Sequence, residues 1–69
     1  MNGHPVTHLC VILDKDTGKE ITSYEIVVDG RFQDWYNARH IARARFEEEQ
    51  KYKPNMRRYT NWAVDSVEL

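Results

Sequence analysis

Cysteine is almost absent from this 69-residue chain. Cys10 stands alone, so no disulfide within the chain can staple the fold, and no paired thiols are present for structural zinc. A single thiol suits a reducing compartment, and the expected location is the cytoplasm. Glycine is scarce as well. Gly3, Gly18 and Gly30 lie far apart, which excludes a glycine-rich loop that cradles phosphate. No run approaches the roughly 18 consecutive apolar residues of a membrane span. The first residues show no basic segment followed by an apolar stretch, so neither a membrane partner nor a secretory leader is expected. Net charge is close to zero: ten Lys and Arg against eleven Asp and Glu leave −1. With two Trp, four Tyr and two Phe, that balance excludes a disordered chain.

What is present is unevenly distributed. Residues 1–30 carry −3, residues 31–58 carry +4, and residues 59–69 carry −2. The central segment holds Arg31, Arg39, Arg43, Arg45, Lys51, Lys53, Arg57 and Arg58. Segregation of this kind steers a chain toward a charged partner and says little about its fold.

The apolar pattern is more specific about structure. Residues 1–5 read as an irregular lead. Residues 6–13 are β-branched and apolar on both faces, with Leu9, Val11 and Leu13 opposite His8, Cys10 and Ile12; this is the pattern of a central strand. Asp14, Asp16 and Gly18 supply turn chemistry. A second strand follows, with Thr22, Tyr24, Ile26 and Val28 on one face, so residues 6–28 form a hairpin. Residues 31–51 contain no Gly or Pro and are rich in Ala, Arg and Glu, which predicts a helix capped by Asp29 or Asp34. At 100° per residue, Trp35, Ala38, Ala42, Phe46 and Glu49 share a stripe flanked by Phe32 and Ile41, expected to pack on the sheet. Glu47–Lys51 and Glu49–Lys53 are favourable i,i+4 pairs. Residues 59–67 read as a third strand, with a bulge or strand end near Asp65. The expected fold is a single α+β domain: a three-stranded antiparallel sheet in β-β-α-β order, with one helix packed on one face. The other sheet face stays partly open as a candidate binding surface. Through an exposed face or edge it could also pair with a second copy, so a monomer or a homodimer is expected.

Candidate chemistry is sparse. His4, His8 and Cys10 make an H-x3-H-x-C pattern, but a fourth ligand is missing, and a surface histidine pair with a buried thiol explains it. Asp14-x-Asp16-x-Gly18 resembles the start of a calcium loop. Its glycine is fifth instead of sixth, however, and its flanks are strands, so it reads as a hairpin turn. Cys10 lies in an apolar run with no basic neighbour to make it a nucleophile. His40 with Arg39 and Arg43 could serve phosphodiester chemistry, yet the same residues fit a solvated helix face. No catalytic residue, metal ligand or cofactor is therefore assigned, and the chain is not expected to be an enzyme.

The strongest set combines cations with aromatics and neighbouring polar groups: Tyr36, Arg39, His40, Arg43, Arg57, Arg58, Tyr59 and Asn61. Such residues suit a protein interface, where Tyr, Trp and Arg dominate binding energy. They also suit nucleic acid, although a pI near 6.3 is low for that class.

In size and β-β-α-β order the chain resembles small phage-encoded host-takeover inhibitors, in particular the RNA-polymerase inhibitor of short-tailed coliphages. That family is a small α+β protein that binds the β′ jaw of the polymerase and blocks transcription from host promoters. The resemblance implies a host protein as partner, RNA polymerase for instance, with Arg57 and Arg58 before Tyr59-Thr60-Asn61-Trp62 as the contacting feature. Small anti-CRISPR proteins occupy the same range of size and composition, which adds antagonism of a host defence complex as an alternative.

Overall fold

A computed structural model describes residues 4–69. Strand β1 (Pro5–Asp14) turns into β2 (Glu20–Asp29), helix α1 (Asp34–Tyr52) follows, a single 3₁₀ turn covers Pro54–Met56, and β3 (Trp62–Glu68) closes the sheet. The sheet is antiparallel in the order β2-β1-β3. The architecture is thus α+β, in β-β-α-β order. No helix among the described residues is long and apolar enough to cross a membrane.

β1 is central because both of its faces are apolar. His8, Cys10 and Ile12 are buried toward the helix, while Leu9, Val11 and Leu13 alternate onto the opposite face. Ile26 of β2 and Ala38, Ala42 and Phe46 of α1 complete the buried set, with Tyr24, Val28 and Val64 packed around it. Two alanines at the contact let the helix approach the sheet closely, and Phe46 fills the space beyond them. Its ring meets Trp62 edge-on, with centroids 4.8 Å apart.

The hairpin turn is built by its own side chains. Gly18 sits at φ 77°, a left-handed conformation that glycine adopts without steric cost. Its N–H donates to the Asp14 carbonyl at 2.7 Å, and the Asp14 carboxylate accepts from the Asp16 N–H. The irregularity in strand pairing lies beside this turn, between Ile12 and Leu13.

Several sequence expectations are corrected. The helix begins at Asp34, not at residue 31, because Gln33 adopts the left-handed region (φ 48°, ψ 42°) and breaks the helical path. Neither Asp29 nor Asp34 caps it. Asp29 accepts from the backbone and guanidinium of Arg31, and Asp34 is drawn to His8. Phe32 is 72% and Trp35 52% exposed. Trp35 lies on the buried stripe by angle, but it stands in the first turn of the helix, where its ring meets Tyr36 and Arg39. The third strand begins at Trp62, not at residue 59, and runs to Glu68 with unbroken register from Asp14↔Trp62 to His8↔Glu68; no bulge occurs at Asp65. Residues 59–61 are held out of the sheet by Gln50, whose side-chain amide donates to the carbonyls of Met56 and Tyr59 at 3.2 and 2.7 Å. Of the two helix ion pairs, Lys53–Glu49 forms at 3.1 Å, whereas Lys51 lies beside Glu48.

Candidate interaction surface

The basic residues of α1 divide between two flanks. Arg45 leans toward β2, its guanidinium 5.0 Å from the Tyr24 ring. Arg39 and Arg43 lean toward β3. Arg39 stacks over Trp35 at 5.5 Å and donates to Ser66 Oγ at 3.0 Å, with Asp65 at 3.4 Å. Arg43 stacks over Trp62 at 5.2 Å. Each arginine is therefore held against an indole, and its planar donor edge is pre-positioned.

Between α1 and β3 runs a shallow groove of about 340 Å³, lined by Trp35, Tyr36, Arg39, His40, Arg43 and Val64. His40 stacks parallel to Tyr36, centroids 6.1 Å apart. A second concavity of about 300 Å³ continues the line past Trp62 to Gln50, Arg57, Tyr59 and Thr60. Arg43, which lines the first, lies over the ring of Trp62, which lines the second. β3 is an edge strand of the sheet.

The residues expected to bind a partner thus fall into two groups. Tyr36, Arg39, His40 and Arg43 come together on the α1/β3 flank. Of the others, Arg57 and Asn61 carry structural duties. Arg57 donates from Nε and Nη2 to the carbonyls of Gln50 and Lys51, at 2.9 and 2.7 Å, and so satisfies the last turn of α1. Asn61 braces the hairpin turn: its side-chain amide donates to Asp16 at 3.0 Å, and its carbonyl accepts from the Lys15 N–H at 2.9 Å. Arg58 lies over the Tyr59 ring and donates to its hydroxyl; both line a separate concavity with the hairpin turn. Sequence reasoning missed Trp35 and Val64 as groove residues, having placed Trp35 in the core. The available signal was Trp35 and Arg39 at i,i+4.

Three titrating groups bear on chemistry. Burial pushes the Cys10 thiol above its ordinary value, opposed by nearby Arg39. A buried thiol kept protonated is a packing residue, not a nucleophile. Burial, and then the hydrogen bond it donates to Glu49 at 2.6 Å, raise Tyr24 strongly. The same bond, with Lys53, holds Glu49 below the usual carboxylate range.

His8 of β1 is paired with the helix start. It is 3% exposed, and its Nε2 lies 2.7 Å from Asp34 Oδ2. The H-x3-H-x-C reading placed His8 in a surface pair; it is buried instead, and its partner Asp34 lies 26 residues away, where no spacing rule connects them. No family model, curated protein or solved structure matches the chain.

Proposed function

We propose that the chain is a small non-enzymatic binding protein that inhibits a host protein by docking through the α1/β3 groove. The observation that carries this reading is the pair of arginines stacked on tryptophans along the α1/β3 flank, Arg39 on Trp35 and Arg43 on Trp62. Arg and Trp are the residue types most often found to dominate binding energy. Holding them together before the partner arrives lowers the ordering cost of association. The groove presents Arg39, Arg43 and Arg57 with Asp65 as the nearby acid, so the complementary partner is acidic. The likeness in size and element order to the coliphage inhibitors makes bacterial RNA polymerase the target to test first.

The experiment is promoter-complex formation by bacterial RNA polymerase with increasing amounts of the protein. The native chain is expected to suppress the complex, and the double variant Arg39→Glu, Arg43→Glu to leave it intact. Unchanged promoter-complex formation at saturating protein rejects the polymerase target. Retention of DNA or RNA with an affinity that falls steeply with salt would assign the groove to nucleic acid instead.

A further inference from the structure

His8, Asp34 and Glu68 come from three different elements, β1, the first turn of α1, and the end of β3. Each offers one ligand-capable atom, and the three atoms lie within 4.8 Å of one another. We propose that this trio binds a single first-row divalent metal cation and clips the helix start to the two strands beneath it.

The donor set fits that class. One imidazole with two carboxylates is a borderline set, suited to Zn²⁺ or its first-row neighbours, whereas Ca²⁺ and Mg²⁺ favour oxygen alone. Two carboxylates with a neutral imidazole balance a charge of +2. The imidazole is also held in place: His8 is buried and its Nε2 meets Asp34, so one ligand nitrogen already faces one carboxylate.

Little movement is needed. Ligand atoms around such an ion sit roughly 2.0–2.2 Å from it, so they lie about 3–3.5 Å from each other. The His8–Asp34 contact of 2.7 Å has to open slightly. Glu68 is exposed at the strand end, with free side-chain torsions to close in, and that open side leaves room for water as further ligand. The start of α1 also lacks any side-chain cap. A cation held by Asp34 in its first turn would fix that end of the helix by coordination.

The test uses the full chain, first stripped with chelator, then titrated with Zn²⁺ in a calorimeter. One ion per chain is expected. Glu68→Gln and Asp34→Asn should each weaken binding by at least about tenfold, with far-UV circular dichroism confirming that both variants stay folded. His4→Ala and His40→Ala, which alter the other two histidines, should leave affinity within about twofold, since neither supplies a ligand. Co²⁺ as a second probe should give visible ligand-field bands that Glu68→Gln removes. Absence of binding at millimolar Zn²⁺ overturns the proposal. So does undiminished binding in Glu68→Gln, or its loss in His4→Ala or His40→Ala.

Discussion

Replacing Phe46 by alanine should remove a third or more of the domain's stability. Phe46 is the one large side chain of α1 that is fully buried, the other buried helix residues being Ala38 and Ala42. The apolar hold of the helix on the sheet therefore rests largely on a single ring. Phe→Ala in a packed core costs about 3–5 kcal/mol, including the cavity left behind. The edge-on contact with Trp62 places the cost toward the upper end. Set against this is the total: at about 0.05–0.15 kcal/mol per residue, a 69-residue chain holds only about 3–10 kcal/mol. The variant thus loses from a third to all of its stability. Urea unfolding, followed by Trp62 fluorescence in a Trp35→Phe background, is the assay. With a slope near 1 kcal/mol per molar, the midpoint should fall by about 3–5 M or vanish. Arg43→Ala is the contrast: it removes the cation over the same Trp62 and should cost only about 0.5–1 kcal/mol. A Phe46→Ala loss below about 1.5 kcal/mol would show that other contacts hold the helix, and the reasoning would fail.

Tyr24→Phe should cost about 1 kcal/mol at neutral pH, a charge-assisted hydrogen bond discounted for the partial exposure of Glu49. It should also flatten both ends of the stability–pH curve. Glu49 is depressed in the fold, so its contribution is present above its ordinary value of 4.5 and lost as pH falls through the folded value. Tyr24 is raised, so its contribution is present below 10.0 and lost as pH rises beyond that. Urea midpoints measured from acid to alkaline pH check both limbs. Arg57→Ala should lower stability by about 0.5–1 kcal/mol by uncovering two carbonyls of the last helical turn. Arg58→Ala should not, and thermal melts of the two variants compare them directly.

The sheet was legible because its signals are local. Alternation through Leu9-Cys10-Val11-Ile12-Leu13 marks a central strand whatever surrounds it, and Asp14, Asp16 and Gly18 mark the turn. The buried helix face was half legible. Periodicity assigns Trp35 and Ala38 to one angle, but it cannot show that the sheet supports one and the helix start exposes the other. Gln33 in a left-handed conformation leaves no compositional trace, so the helix start was read three residues early. The candidate site divided along the same line. Arg39 and Arg43 share a flank through helical spacing alone. The bracing duties of Arg57 and Asn61, and the meeting of His8 with Asp34, depend on tertiary contacts that no window along the chain contains.

The strand order β2-β1-β3 has a kinetic consequence. β1 meets β2 across a short turn, but it meets β3 across the whole intervening hairpin and helix, from Asp14↔Trp62 out to His8↔Glu68. Such long-range closure is slow, while the hairpin and the helix can form from near neighbours. During folding, the apolar central strand therefore waits with one bare edge until β3 arrives. In that interval the β3 of another copy competes for the same edge, and the product would be a pair of chains that have exchanged their last strands. Refolding at high protein concentration is the condition under which that exchange should appear.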